Sequence, residues 1–438
     1  MPLLLAAGAC GSPQPGARER SASLIVHNAR IYTVDPSRPE AQAIAVAGDR
    51  IVRVGTDDEV LKLRAEATRV IDAAGAAIVP GLHDAHGHFT SLGATLRLVD
   101  LRGTTSYQEV IDRVRRRAAA TPRGEWILGR GWDQNDWPVA SWPVHDWLSA
   151  ATPDHPVYLT RIDGHAALVN RRALDRAGVT AATPDPPGGR ILRDASGRPT
   201  GVLIDRAAEL VSSRIPSARA ADIEAQAMAA DVETRRLGLT MVHDAGTDGA
   251  TADVYRRLIG AGRLKTRLYV MLRGRLADLL PHFGRGPVHE YGGHRLAVRA
   301  IKIQIDGALG SRGAALIEPY SDEPGTRGLL TTPLDEVYAQ AAAAARAGFQ
   351  TAIHAIGDRA NRLALDVFER VAREIPGARQ LRPRVEHAQI LDAADIPRFA
   401  ALGVIASMQP VHATSDMPWV PARIGELRMR EGAYLWRT

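Results

Sequence analysis

The sequence contains almost no cysteine, little lysine and no long hydrophobic run. Its single cysteine, Cys10, excludes both a disulfide framework and a cysteine-based zinc site. The only lysines are Lys62, Lys265 and Lys302, so arginine serves almost every other cationic role. No stretch reaches the length of a transmembrane helix. The 438 residues, 45% of them hydrophobic and 24% charged, therefore predict a globular protein with a large core.

The net charge of +6 raises the question of a nucleic-acid partner. The basic residues are scattered along the chain, and the few aromatic residues do not interleave with a dense basic cluster. We therefore expect no nucleic-acid partner. The alternative, a basic nucleic-acid-associated barrel, predicts DNA binding that weakens steeply with salt.

Residues 1–22 are predicted to be a signal-like or disordered segment. A short apolar run ends at Cys10 and is followed by a small, polar tether that contains proline. This resembles the end of a bacterial lipoprotein signal, in which Cys10 would carry lipid, although the basic start is missing and the apolar run is short. A start codon placed too far downstream would explain both features. Two localisations stay open: export with a membrane anchor only at Cys10, or a cytoplasmic enzyme with a disordered extension.

Residues 23–80 are predicted to form a small all-β domain. Short β-rich segments cover residues 24–26, 29–34, 43–46 and 51–55, and Gly48-Asp49 between the last two is a hairpin signal.

From residue 81 to 438, apolar strands alternate with helical segments, which predicts a parallel α/β sheet closed into a TIM-type barrel. The predicted strands are Trp126–Gly129, Val157–Thr160, Leu239–Asp244, Leu268–Leu272, Ala297–Ile305, Phe349–His354, Arg384–His387 and Val404–Met408. The predicted helices are Tyr107–Ala120, Ala221–Leu237, Leu334–Ala347 and Asp358–Arg373. A segment rich in proline, glycine and tryptophan, about residues 132–215, interrupts this rhythm and is interpreted as an insertion over the open end of the barrel.

Four histidines fall at the ends of predicted strands. His86 and His88 flank a glycine, and in an extended strand two residues separated by one position point to the same side, so both imidazoles can bind one ion. His354 and His387 each end a strand, where barrel enzymes place their active residues. Each histidine alone is equally well explained as a turn or core residue. Their recurrence at successive strand ends favours a metal site.

Lys302 lies among apolar, β-branched strand neighbours, where burying a charge is expensive. A lysine in a protein that otherwise uses arginine suggests chemistry that a guanidinium cannot perform, such as forming a carbamate with carbon dioxide. A carbamate is an anionic ligand with two oxygens that can bridge two divalent ions. The alternative is a lysine that extends to the end of the strand or pairs with Asp306.

Several segments resemble the amidohydrolase superfamily, and more closely its branch of N-substituted formamide deformylase-like hydrolases, amidohydrolase family 3. They include PGLHDAHGH, KIQIDGALGSRGAAL, HAIGDRAN and RVEHAQ, and also GRGWDQNDW, DGHAALVN, PTGVLIDRA and MQPVHATSDMPW. The similarity runs from about Leu24 to the last residue. It implies a TIM-type (β/α)8 barrel with a small N-terminal β-sandwich, two divalent ions expected to be zinc, and Lys302 at the strand-four position as a carbamylated ligand.

One departure from the family pattern concerns the C-terminus. Members of the family carry an aspartate on an eighth strand, whereas this chain stops at Thr438. Asp416 follows the predicted seventh strand too closely to occupy an eighth, and we expect it in the loop after strand seven. We therefore assign no catalytic base, and we expect a truncated barrel that lacks its last strand and is poorly active alone.

The resemblance implies a metal-dependent hydrolase that cleaves a non-peptide carbon–nitrogen bond through a metal-activated hydroxide. The predicted metal ligands are His86, His88, Lys302, His354 and His387. The predicted substrate-binding residues are Asp133, His165, Arg312 and Gln409, with Arg312 pairing with Asp306 as an alternative. The expected partner is a small amide-type substrate, and a homodimer is the assembly to test. The alternative function is a catalytically degenerate, non-enzymatic binding barrel.

Overall fold

The computed structural model describes residues 21–139, 141–162, 164, 166–186, 189–310 and 312–436. Cys10 and the predicted substrate residue His165 lie outside the described residues. The chain separates into two compact units, Met1–Leu82 and His83–Thr438. Over the described ranges, no helix combines the length and apolar character needed to cross a bilayer.

The N-terminal unit contains two small sheets and one short helix. Its strands are β1 Leu24–His27, β2 Arg30–Tyr32, β3 Glu40–Ala41, β4 Ala43–Ala47, β5 Arg50–Gly55, β6 Arg69–Asp72 and β7 Ala77–Ile78, and its helix is α1 Asp57–Leu61. The strand orders are β5-β4-β1-β6 and β3-β2-β7. The predicted hairpin is present, because β4 and β5 pair antiparallel and Gly48 takes a positive φ of 64° in the turn between them.

The remaining elements alternate between strands and helices. The strands are β8 Leu82–Gly87, β9 Val99–Asp100, β10 Ile127–Trp132, β11 Val157–Arg161, β12 Ala166–Val169, β13 Gly189–Arg193, β14 Pro199–Asp205, β15 Leu239–Thr247, β16 Arg267–Leu272, β17 Val288–Tyr291, β18 Leu296–Gln304, β19 Gln350–Ala355, β20 Arg384–His387 and β21 Ile405–Ser407. The helices are α2 Phe89–Arg97, α3 Tyr107–Ala119, α4 Asp146–Ala151, α5 Arg171–Ala177, α6 Glu209–Ser212, α7 Ala220–Arg236, α8 Gly249–Gly260, α9 Leu276–Arg285, α10 Leu334–Arg346, α11 Asp358–Glu374, α12 Ile396–Leu402, α13 Val411–Asp416 and α14 Val420–Gly432.

Seven strands form a nearly closed parallel barrel in the order β8-β15-β16-β18-β19-β20-β21. Strands such as β18 and β19 are buried almost throughout, as expected for parallel strands covered by helices. Val270, Ile301, Ile353 and Val385 contribute to the main hydrophobic core. The predicted barrel is confirmed, and the part of the chain that the structure describes holds seven of its strands.

The insertion is larger than the sequence predicted. Strands β9 to β14 form a separate six-stranded sheet, which begins at Val99 rather than near residue 132. The predicted strand Trp126–Gly129 corresponds to β10, which pairs parallel with β9 and β11 and not with the barrel. Leu101, Leu148 and Leu159 are fully buried in a core of this sheet's own. A buried strand has the same apolar pattern in either sheet, so the pattern alone could not assign it.

Candidate metal centre

The four predicted histidines lie together at the C-terminal ends of the barrel strands. The ring centroids of His86 and His88 are 5.5 Å apart, and those of His86 and His387 are 4.7 Å apart. His354 completes the group, with its centroid 4.5 Å from that of His387. Between His86 and His88, a Cβ on Gly87 would lie 3.0 Å from Val242 on the neighbouring strand β15, so this position favours glycine.

His387 reaches the cluster through an unusual backbone conformation. In a regular strand, consecutive side chains point to opposite faces, so Glu386 and His387 could not both point into the barrel. His387 has a φ of 77° and Ala388 a φ of 42°, both in the left-handed region that non-glycine residues rarely adopt. As a result both side chains meet His86. Such strain is typical of functional sites.

Lys302 belongs to the same cluster. Its side chain on β18 is buried, with 6% of its surface exposed, and a Cβ on Gly246 would lie 3.5 Å from its Cγ. Burial lowers the pKa of Lys302 to about 8. Its positive charge also contributes to lowering the pKa of His88 and His354, which is consistent with its place beside them. An amine with a lowered pKa has a larger neutral fraction, and the neutral form is the one that reacts with carbon dioxide.

Two of the imidazoles are oriented by polar side chains behind them. His86 Nδ1 donates to Glu386 Oε2 at 2.5 Å, and His387 Nδ1 donates to the amide oxygen of Gln409 at 2.6 Å. In each case the Nε2 atom is left for another partner. This arrangement is typical of metal-binding histidines, whose second nitrogen is usually held by a carboxylate or carbonyl.

The buried carboxylate of Asp306 supports the loops beside His354. It accepts hydrogen bonds from the backbone N–H groups of Ala315, Ile356 and Gly357 at 2.9–3.0 Å. Its Oδ1 atom also lies 3.5 Å from His354 Nε2, but the geometry does not make a hydrogen bond, so that nitrogen is buried without a partner.

The donor set fits a divalent metal by its chemistry. Burial lowers the pKa of His88 to about 4 and that of His354 to about 3, and it lowers the pKa of His387 far below the usual range. These imidazoles are therefore neutral at physiological pH, which is the form that binds metal ions. Within the described residues, no three imidazole or carboxylate groups converge on a single point. The side chains are thus adjacent, but their orientations do not define a coordination geometry.

The other predicted site residues have partners of their own. Asp133 forms a 2.5 Å ion pair with Arg161. Arg312 pairs with Asp322 and Glu323, both at 3.1 Å, and not with Asp306 as the alternative interpretation expected. The expected pairing fails because Asp306 is fully buried and its oxygens already accept backbone N–H groups.

Asp416 ends helix α13 after the seventh strand, as expected. It accepts hydrogen bonds from Gln389 and Tyr434, both at 2.8 Å.

Sequence reasoning missed Arg384, Glu386 and His412. Arg384 and Glu386 are charged residues at alternate positions of a short strand that ends in a predicted ligand, and this pattern was an available signal. His412, on α13, lies 5.4 Å from His387 between ring centroids. No sequence pattern singled out His412, because only the path of the chain after β21 places it beside the histidine cluster.

The sequence profile of the amidohydrolase family matches residues 69–438. The chain belongs to the amidohydrolase family. One relative of this amidohydrolase, the protein LONG AFTER FAR-RED 3 of Arabidopsis thaliana, is 35% identical and covers 95% of this chain and 73% of its own length. Another, the N-substituted formamide deformylase of Arthrobacter pascens, is 32% identical and covers 87% of this chain and 71% of its own length.

A solved structure of similar fold is an uncharacterized metal-dependent hydrolase from Pyrococcus furiosus. It superimposes with a TM-score of 0.78 at 29% identity, over 93% of this chain and 81% of that one. The family and this neighbour identify the amidohydrolase as a hydrolase, and they suggest a divalent metal.

Proposed function

We propose that this amidohydrolase cleaves a non-peptide carbon–nitrogen bond of the amide or formamide type, with two divalent ions, zinc by preference, at the histidine cluster. The proposal is carried by one observation: His86, His354 and His387, which are partly buried, adjoin the exposed His88 beside a buried lysine. The similarity to the formamide deformylase supports the choice of bond, since the described geometry is equally suited to an ester.

These five side chains would hold the metal, and Glu386 and Gln409 would orient two of the imidazoles. When bound, divalent ions lower the pKa of water toward neutrality and polarise a substrate carbonyl. Desolvation lowers the pKa of His88, His354 and His387, so these three imidazoles are neutral and keep their lone pairs available. The hydrogen bonds that His86 donates to Glu386 and that His387 donates to Gln409 would limit the reorientation of these two rings.

Lys302 would serve as a bridging ligand after reacting with carbon dioxide. Its neutral Nζ attacks the carbon of carbon dioxide, an N–C bond forms, one C=O π bond becomes a C–O⁻, and the nitrogen loses a proton to solvent. Labelling with ¹³CO₂ should produce a carbamate carbon signal in the metal-loaded protein, and the Lys302→Met variant should lack it. A labelled signal of equal intensity in that variant would refute the assignment.

The test of the proposed function is a comparison of metal-free and metal-reconstituted protein. The metal-free chain should turn over none of a panel of N-substituted formamides, acylated amines and cyclic amides. Zinc should restore turnover of at least one, at a stoichiometry near two ions per chain. The variant His354→Asn should abolish the turnover that zinc restores. The control His289→Asn, which replaces an exposed histidine on β17, should keep it.

A chain that binds no metal and hydrolyses nothing would instead be the non-catalytic binding barrel. Hydrolysis at full rate after exhaustive chelation would contradict the metal requirement. An ester as the only substrate would contradict the choice of bond.

A further inference from the structure

Arg384 makes an unusual number of contacts inside the barrel. Its Nε donates to Glu386 Oε1 at 2.7 Å, and its Nη2 reaches Glu386 Oε2, Ser407 Oγ and the carbonyl of Ala85 at 2.7–3.1 Å. Its Nη1 donates to His243 Nδ1 at 3.0 Å. One buried guanidinium thereby joins β20 to β8, β15 and β21, including both terminal strands of the seven-stranded barrel.

Glu386 continues this chain of contacts to the candidate metal centre. Its carboxylate is fully buried. It accepts hydrogen bonds from two nitrogens of Arg384 and from His86 Nδ1. Both carboxylate oxygens accept hydrogen bonds from the Arg384 guanidinium, and Oε2 also accepts from His86 Nδ1, so the carboxylate is held in one orientation against the His86 ring.

A buried ion pair of this kind is seldom explained by stability. Well-packed apolar residues of similar volume usually serve a core equally well or better, because desolvating two charges offsets their attraction. What an apolar pair cannot do is fix the tautomer and ring orientation of His86. Arg384 also holds the carbonyl of Ala85, the residue immediately before His86 on β8. Both contacts act on the segment that carries two predicted ligands.

We propose that Arg384 and Glu386 are positioning residues that act as a unit, orienting His86 toward the metal and anchoring the end of β8. Glu386 fixes the imidazole directly. Arg384 holds both carboxylate oxygens of Glu386 in place, and it ties the backbone of β8 to β20 and β21. The inference rests on the proposed function, because it assumes that His86 binds a metal.

The experiment measures Co²⁺ affinity by competition with a chromophoric chelator, together with the visible spectrum of the Co²⁺ protein. We expect Glu386→Gln to bind Co²⁺ about 10- to 100-fold more weakly, the usual effect of losing an outer-shell partner of a ligand. Arg384→Met should weaken binding in the same range. The double variant should bind Co²⁺ no more weakly than the single variant of lower affinity, because both residues act through His86.

The matched control is Glu233→Gln on α7, which also removes a carboxylate paired with an arginine, Arg236, at 2.7 Å. It should leave both the affinity and the spectrum unchanged. A purely structural role for Glu386 would lower the melting temperature of the metal-free protein without changing the Co²⁺ spectrum of the folded fraction. That result would overturn the proposal.

A further variant guards against misfolding, because Glu386→Gln leaves Arg384 buried without its counter-charge. Glu386→Asp keeps the charge but withdraws the carboxylate from His86 by one methylene. It should fold and still bind Co²⁺ more weakly than wild type. If wild type binds Co²⁺ and Glu386→Asp binds it equally with the same spectrum, the positioning role is refuted while the proposed function stands. If wild type binds no Co²⁺, the proposed function itself is refuted.

Discussion

Asp306 offers the sharpest test of how the loops around the metal centre are held. Its carboxylate has no exposed surface, and it accepts three backbone hydrogen bonds from two different loops. Oδ2 accepts from Ala315 and Gly357, and Oδ1 accepts from Ile356. The loop that contains Ile356 and Gly357 directly follows His354.

The number of bonds sets the expected magnitude. In Asp306→Asn, the amide oxygen can replace Oδ2 and keep two bonds, while its NH₂ group then faces the N–H of Ile356. One buried donor loses its partner, which costs about 1–3 kcal/mol. In Asp306→Ala all three donors lose their partner, so the destabilisation should be on the order of 3–9 kcal/mol, less whatever entering water restores.

The assay is urea unfolding of the metal-free protein, followed by circular dichroism at several wavelengths to check that one transition is observed. The control is Asp253→Ala on the exposed face of α8, which should change the unfolding free energy by less than about 0.5 kcal/mol. The free energy of unfolding should decrease in the order wild type, Asp306→Asn, Asp306→Ala. If Asp306→Ala and Asp253→Ala were equally stable, Asp306 would not hold the loops.

Four further substitutions, each at a single position, have expected outcomes. Lys302→Met should leave the melting temperature of the metal-free protein unchanged or higher, because a charge is no longer buried, while it abolishes turnover. Burial lowers the pKa of His145 in the folded protein, so the unfolded chain protonates this imidazole at a higher pH than the folded chain does. The free energy of unfolding therefore falls as the pH drops through about 6.5. His145→Gln should flatten that dependence in urea unfolding at pH 5 and pH 8; a slope equal to that of wild type would contradict it. Gly93→Ala on α2 would place a Cβ 1.8 Å from the carbonyl oxygen of Gln226, and it should lower the unfolding free energy at the upper end of about 1–3 kcal/mol. Gly284→Ala on α9 meets no atom within 4 Å, and it should raise that free energy by about 0.5–1 kcal/mol; the opposite order for the two alanines would contradict the packing argument.

The barrel could be predicted because its signals are local. The apolar runs that became β18 and β19 and the amphipathic helices that follow them have periods that survive in any context. The assignment of β10 to the insertion sheet was not predictable in this way, because its pairing partners, β9 and β11, are decided by long-range contacts.

The predicted substrate-binding residues also show the difference between local signals and long-range contacts. Arg312 was singled out as a cation near a glycine-rich turn, but its guanidinium is held by Asp322 and Glu323, which follow it closely along the chain. Gln409, by contrast, lies against His387 and orients it. Local composition could not distinguish these two outcomes, since each depends on where a loop returns.

The sequence by itself determined which residues could do the chemistry: four histidines at strand ends, and one lysine in a protein that otherwise uses arginine. These are choices of functional group, and no folding event can alter them. The tertiary structure alone decided which groups surround them. The left-handed backbone at His387 lets neighbouring residues of one strand face the same cavity, and Arg384 connects strands that are hundreds of residues apart in sequence. Such contacts depend on closing a barrel, and barrel closure is a property of all the strands together.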